Sequence, residues 1–311
     1  MRIAISGGVG FIGSNLAQRL KSSGHQVYVL DNLETGKTDN VKEFEIDVCV
    51  GDLRDAETVR RFVSENHIEY FFHLGALGSV PRSVQYPRSS FSTNTISTLN
   101  VLEAVREKSI PLFFTSSSSV YGKNPVMPKI EKDWLSPISP YAASKAASEM
   151  LITSYRETFR LRTAIFRLFN VYGPRQNPDG SYAAVIPRWI LAAFRNEPLI
   201  VYGDGEQKRD FTFVDDVTSI MVKSLDQLLD LEHPVNLAFG KPVSLNQVLD
   251  VFKQYFGDLN INYQEKRTGD IHNSSASTKK ILDLFPDYSN PTSISEGLIT
   301  TIEWYKKKFK L

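Results

Sequence analysis

Short apolar runs alternate with amphipathic stretches through the first half of the chain. The cleanest runs, Arg2 to Ser6, Gln26 to Asp31, Glu69 to Leu74 and Pro111 to Ser116, lack a polar alternation and read as strands covered on both faces. Between them, Phe11 to Ser23, Asp55 to Asn66 and Ser90 to Lys108 carry apolar residues at three- and four-residue spacing, as crossover helices do. Repeated β-α units of this kind predict an α/β protein with a doubly wound parallel sheet. Beyond residue 170 the texture changes, with Pro174, Pro178, Pro187 and Pro198 punctuating shorter helical patterns. A second, less regular lobe is expected there.

Gly7-Gly8-Val9-Gly10-Phe11-Ile12-Gly13 follows the first predicted strand directly and opens the first helix. In that context Gly7 permits a tight turn, Gly10 lets backbone approach a pyrophosphate, and Gly13 lets helix and sheet pack closely, with the helix N-terminus facing the phosphates. Asp31 ends the second strand and is placed to accept hydrogen bonds from both ribose hydroxyls while repelling a 2′-phosphate, which favours NAD over NADP. Gly51-Asp52-Leu53 ends the third strand, where Asp52 can meet the exocyclic amine of an adenine.

Pro140-Tyr141-Ala142-Ala143-Ser144-Lys145 reads as a helix start. Tyr141 and Lys145 stand four apart and share a face, so an ammonium lies near the phenol and should lower its pKa from about 10 toward that of a general base. Thr115-Ser116-Ser117-Ser118-Ser119 ends the fifth strand, where hydroxyls point into the ligand crevice of an open sheet.

Composition then removes whole classes of function. Lys plus Arg number 36 against 35 for Asp plus Glu, so the net charge is +1 and no field exists to hold nucleic acid. Cys49 is the single cysteine, which excludes an internal disulfide and a cysteine-based metal cluster and reads as a small buried strand residue of a cytoplasmic protein. No window has the ~18 apolar residues of a membrane span. His25, His67, His73, His233 and His272 have no metal-ligand spacing, and no metal is expected.

Taken together, GGVGFIGSNL, DNLETG, GDLRD, FHLGA, SSSSVYG, SPYAASKAASE, FRLFNVYGPRQ, YGDGEQKRDFTFVDDV and RTGDI resemble the extended short-chain dehydrogenase/reductase family, in its NAD-dependent sugar-nucleotide epimerase/dehydratase branch. The resemblance spans nearly the whole chain. It implies a Rossmann-type NAD-binding domain over residues 1–170, joined by about 210–236, and a smaller α/β substrate-binding lobe over 171–311. It also implies the chemistry: Tyr141, assisted by Lys145 and Ser117, takes the proton from a sugar O4 while the C4 hydride passes to NAD, and return of the hydride to the opposite face inverts C4. For the cofactor it implies Phe11, Ile12, Asn32, Leu53, Leu74, Ala76, Asn94 and Phe169 as further contacts, with Phe169 a nicotinamide wall. For the substrate, Asn170, Arg209 and Arg267 resemble the groups that grip a diphosphate, with Val185, Tyr202 and Asp270 nearby. A homodimer is implied, built by pairing the Ser90 to Lys108 and Tyr141 to Phe159 helices.

The 4,6-dehydratases of the branch place an Asp-Glu pair directly after the catalytic hydroxyl residue, where this chain has Ser118 and Ser119. Elimination is therefore disfavoured and C4 epimerisation expected. The seventh residue after the RxGD arginine, Ser274, is small, as in epimerases that accept N-acetylated hexosamines. With Gly78, Ser79, Ser118, Asn170, Gln176 and Ala184 it would shape a pocket for UDP-GlcNAc and UDP-GalNAc. A UDP-glucose or UDP-uronate 4-epimerase, or a non-catalytic dinucleotide-binding protein, are the alternatives left open.

Overall fold

The structure, a computed structural model, describes residues 1–179, 183–227, 230–266 and 273–311. The chain begins with β1 (Arg2–Ser6), α1 (Phe11–Ser22), β2 (Gln26–Asp31), β3 (Asp47–Val50), α2 (Ala56–Glu65) and β4 (Tyr70–His73). It continues through α3 (Val80–Gln85), α4 (Pro87–Phe91), α5 (Ser97–Arg106), β5 (Leu112–Ser117), α6 (Pro140–Phe159) and β6 (Thr163–Leu168). Then come β7 (Val171–Tyr172), α7 (Val185–Phe194), β8 (Leu199–Tyr202), β9 (Lys208–Arg209), β10 (Thr212–Phe213), α8 (Val214–Asp226) and β11 (Val235–Leu237). The last elements are β12 (Val243–Ser244), α9 (Leu245–Phe256), β13 (Ile261–Gln264), α10 (Lys279–Leu284) and α11 (Ile294–Phe309).

Seven strands form one parallel sheet in the order β11-β6-β5-β4-β1-β2-β3. The order reverses between β1 and β4, and in such a sheet the crevice beyond the carboxyl ends of those strands is the ligand site. Covered faces explain the unbroken apolar runs: α2 and α5 bring Val59, Phe62, Val63, Val101, Leu102 and Val105 onto Leu30, Phe71 and Leu112. Each such side chain, fully buried, contributes about 1.5–3 kcal/mol.

The chain divides into two compact units, one of residues 1–125, 131–168 and 218–235 and the other of 126–130, 169–217 and 236–311. Two details differ from the expected division, each for a local reason. Residues 126–130 join the second unit because Lys129 pairs with its backbone: Lys129 N donates to Ser275 O at 2.9 Å and Ser277 N to Lys129 O at 2.8 Å. The returning segment enters the first unit at Thr218, whose Oγ1 accepts from Arg19 Nε at 3.2 Å, and not at about 210. Unit two is built on small sheets, β8 with β13, β9 with β12 and β7 with β10, and on aromatic packing such as Trp189 edge-on to Phe252.

Three expectations need correction. The helix expected over Ser90 to Lys108 is interrupted by a π-turn, Ser92–Ile96. That wider turn sets Asn94 where its Oδ1 accepts from Leu77 N at 2.8 Å and its Nδ2 donates to Ser144 Oγ at 2.8 Å, a gain that periodicity does not reveal. Cys49 is exposed, because β3 is the edge strand and most of its side chains face outward. The same strand stops at Val50, so Asp52 lies in the turn beyond it.

Candidate active site

At the end of β1 the glycines are required by geometry. Gly7 has φ +70°, and a Cβ there would lie 2.8 Å from the Gly75 backbone that follows β4. A Cβ on Gly13 would lie 2.2 Å from Gly7 O. Gly10 is the N-cap of α1 in extended conformation, with no side chain bonded to the helix's first N–H groups. The result is a helix N-terminus whose donors are open to an anion, which fits the pyrophosphate of a dinucleotide. Phe11 and Ile12, in the first turn of α1, are half-buried, as are Leu74 and Ala76 on either side of Gly75.

Asp31 is fixed by two backbone donors, Val9 N at 3.3 Å to Oδ2 and Leu33 N at 2.9 Å to Oδ1. Burial pushes its pKa up and those hydrogen bonds pull it back. Replacing the acid while adding a cation, Asp31→Ala with Asn32→Arg, should weaken the preference for NAD over NADP by at least about tenfold, the worth of one hydrogen bond to a charged group. Binding titrations with both dinucleotides check this, and an unchanged preference would remove Asp31 from the ribose site.

Beyond β3 the expected adenine contact is altered. Both Asp52 carboxylate oxygens are engaged by Arg54, at 2.9 Å from Nε and 2.5 Å from Nη2, and a further hydrogen bond comes from Asn32. The Arg54 hydrogen bonds hold the carboxyl down at about 2, so an amine there would share an ionised group. Leu53 is buried and Asn94 is 2% exposed, so Asn94 acts on the Leu77 backbone. Phe169 is 0% exposed, its side chain packed inside the protein.

The helix carrying the tyrosine starts as its sequence requires, with Pro140 in the first turn and the N-cap Ser139 Oγ accepting from Ala142 N at 3.1 Å. The Tyr141 phenol hydrogen-bonds Ser117. Ser117 Oγ already accepts from Ser119 N at 3.2 Å and Ser119 Oγ at 2.9 Å, so its own proton is free to point at the phenol. Ser119 thus joins Ser117 and Tyr141 in one series of hydroxyls, a part that its position in a serine run did not disclose.

Lys145 behaves differently from the expectation. Its Nζ donates to Thr115 O at 2.8 Å and lies 4.6 Å from the Phe114 ring centroid. Burial brings its pKa down to about 7, with Glu149 opposing. Burial also pushes the Tyr141 phenol up, with Ser117 opposing, so the downward shift expected from the ammonium is absent. The reason is that the charge is turned to a carbonyl and partly surrendered to desolvation.

Behind these groups, His73 bonds Ser6 Oγ at 2.7 Å through Nδ1 and Thr98 Oγ1 at 3.1 Å through Nε2. Burial first, then the Lys145 charge, lowers it to about 3, so it is neutral. Among the described residues no group of His, Cys, Asp and Glu could hold a metal.

In the second unit, Asn170, Gln176, Ala184, Val185, Tyr202 and Arg209 line one pocket. Gln176 Oε1 is buried without a partner, an acceptor whose desolvation a ligand N–H would relieve. Ser274 lies beside the pocket residue Asn170, its Oγ 3.5 Å from Nδ2. Asp210, which sequence reasoning missed, ties the surroundings together: its Oδ2 accepts from Gly240 N at 3.1 Å and Ala276 N at 3.0 Å, and its carbonyl from Asn170 Nδ2 at 3.2 Å. In the first unit, Gly78 is exposed, Ser79 caps α3 through Arg82 N, and Ser118 is half-buried. Arg267 and Asp270 lie outside the described residues.

A parallel sheet with a glycine cradle at its switch point, followed by a Tyr-x-x-x-Lys helix, defines a dinucleotide-dependent enzyme of the extended short-chain dehydrogenase/reductase class. The chain belongs to the NAD dependent epimerase/dehydratase family, whose profile matches residues 3–238. It is 31% identical to a UDP-glucose 4-epimerase of Mycolicibacterium smegmatis over 99% of each chain. Among solved structures it resembles a UDP-N-acetylglucosamine 4-epimerase from Methanobrevibacter ruminantium in complex with UDP-N-acetylmuramic acid, with 34% identity, TM-score 0.91, and 99% and 98% of the two chains covered. It also resembles the UDP-glucose 4-epimerase of Thermotoga maritima with UDP-glucose, with 32% identity, TM-score 0.93, and 99% and 100% covered. NAD is the cofactor, and the cradle of Gly7, Gly10 and Gly13 fits its pyrophosphate. No helix among the described residues is long and apolar enough to cross a membrane.

Proposed function

We propose that the protein interconverts C4 epimers of a UDP-sugar, UDP-GlcNAc and UDP-GalNAc foremost, through a transient 4-keto sugar. The observation that carries this reading is the series Ser119, Ser117, Tyr141, a proton path built from hydroxyls with no acidic partner at positions 118 and 119. When bound, NAD supplies a hydride acceptor for C4 that can return the hydride to either face of the sugar. Tyr141, as the phenolate stabilised by the Ser117 hydroxyl, takes the O4 proton and gives it back once the ring has turned. Lys145, pinned to Thr115, keeps its ammonium beside this path. Neither Ser118 nor Ser119 is an acid at neutral pH, so loss of water lacks its proton donor.

For the substrate, the pocket with Gln176 and Arg209 would take the nucleotide and its diphosphate, with Arg267 the second cation. A small Ser274 beside Asn170 leaves room for an acetamido group. Glucose is the second reading, favoured by the likeness to two UDP-glucose 4-epimerases. Purified protein incubated separately with UDP-GlcNAc and UDP-Glc, read by NMR of the anomeric protons, should form UDP-GalNAc faster than UDP-Gal. UDP-Gal alone would reverse the substrate assignment, and no product from either would point to a uronate or a binding role.

Ser274→Tyr should fill that space and lower kcat/KM for UDP-GlcNAc at least about tenfold relative to UDP-Glc, as steric overpacking of one ring does. An unchanged ratio would place the acetamido group elsewhere. We also propose a cytoplasmic homodimer formed through the first-unit face where Phe91, Ile96 and Met150 are exposed. Sedimentation at micromolar concentration should give twice the chain mass, and a monomer would exclude it.

A further inference from the structure

The most buried ion pair among the described residues takes no part in the chemistry above. Arg167 on β6 and Glu149 on α6 are 4% and 1% exposed in their side chains, joined by a two-pronged contact of 3.0 Å from Nε to Oε1 and 2.7 Å from Nη2 to Oε2. The third nitrogen, Nη1, donates to Tyr121 Oη at 2.9 Å and to Glu131 O at 3.2 Å, and the guanidinium carbon stands 4.9 Å from the Tyr121 ring centroid.

Two of those partners matter for the site. Glu149 lies one helical turn beyond Lys145, on the same face of α6. Tyr121 ends the short 3₁₀ turn Ser118–Tyr121, whose N-cap is Ser117. Arg167 is also the register partner of Ser116 across the sheet. One buried cation therefore ties the turn carrying Ser117 and Ser119 to the helix carrying Tyr141 and Lys145.

We propose that Arg167 and Glu149 are positioning residues for the proton-transfer group: the pair holds Ser117 and Lys145 in one frame and sets a carboxylate, itself balanced by the guanidinium, next to the lysine. The proposal rests on the reading of Tyr141 and Lys145 as reacting groups. The groups facing Lys145 are Glu149 from α6, neutral His73 from β4, and the Thr115 carbonyl and Phe114 ring from β5, with Arg167 on β6 reaching it through Glu149. Burial draws the lysine's pKa down to about 7, and Glu149 works against that shift.

A structural brace and a charge-setting pair differ in sign. Glu149→Gln removes the carboxylate and leaves the Arg167 cation, so Lys145 should release its proton at lower pH. Arg167→Met leaves Glu149 unbalanced and should move the release to higher pH. The readout is the titration of Lys145 in the NAD-bound protein carrying ¹³Cε-labelled lysine, assigned with Lys145→Met. The two midpoints are expected to move in opposite directions by about one pH unit each. The alkaline limb of kcat should follow the same order.

Midpoints that stay at the wild-type value, or that move together, would overturn the proposal. Loss of one partner of a buried pair can prevent folding, whereas replacing both by apolar groups is tolerated. The double variant Glu149→Met with Arg167→Met then decides alone: a midpoint below wild type supports the proposal and an equal one overturns it. Because the NMR titration needs no turnover, a wild-type protein that epimerises nothing would sink the functional reading while leaving this result to stand or fall by itself.

Discussion

Tyr141→Phe is expected to lower kcat for epimerisation by about 10³-fold with little change in KM, in line with the loss of a positioned general acid–base group. The phenol oxygen is the acceptor for Ser117, and Ser117 is held by two bonds from Ser119. Phenylalanine keeps the ring and its packing but ends the proton path at Ser117. The hydroxyl of Ser117 then lacks its acceptor, a loss of about 1 kcal/mol in stability. Single-turnover and steady-state rates on the best UDP-sugar test this, with NAD binding as the control for folding. Full activity in the variant would exclude Tyr141 as the base and with it the mechanism.

Gly13→Ala should act earlier, on the cradle. The added methyl would meet Gly7 O at 2.2 Å and the Gly8 and Gly7 backbone within 2.9 Å, all of them rigid. Either α1 moves off the sheet or the Gly7 turn opens, and overpacking of this kind costs about 1–3 kcal/mol. Both responses displace the N–H groups that face the pyrophosphate, so NAD affinity should fall by at least about tenfold, the equivalent of one hydrogen bond to a charged group. Gly10→Ala makes a useful contrast. Its nearest obstacle is the single Gly7 O at 3.2 Å, so it should be nearly as stable as wild type yet still hinder the ligand's approach. Thermal melts and NAD titrations on the two variants separate packing from binding, and a Gly13→Ala protein with wild-type affinity would refute the role assigned to that position.

The parts legible in the sequence were those governed by local rules. The glycine spacing, the acidic end of β2, the Pro140 helix start and the unbroken apolar strands each follow from backbone geometry within a few residues. What escaped notice depends on partners distant in the chain. Cys49 looked like a core residue because its strand is apolar, and only the sheet order, which makes β3 an edge, exposes it. The π-turn at Ser92–Ile96 serves Asn94, whose partners are Leu77 and Ser144. Spacing put Lys145 beside Tyr141 but could not show that its ammonium is bonded to Thr115 O.

The order in which the chain visits its two units bears on how the protein is made. The polypeptide enters the second unit at residue 126, leaves it at 131, returns at 169, leaves again at 218 and enters for good at 236. The seventh strand, Val235–Leu237, therefore emerges from the ribosome long after its neighbour β6, whose free edge is left unpaired during the delay. A gene fragment ending near residue 170 would encode the cradle and the Tyr-x-x-x-Lys helix together with that bare edge. Neither half of this enzyme can be cut out or swapped as a cassette, because each is completed by sequence that lies beyond the other.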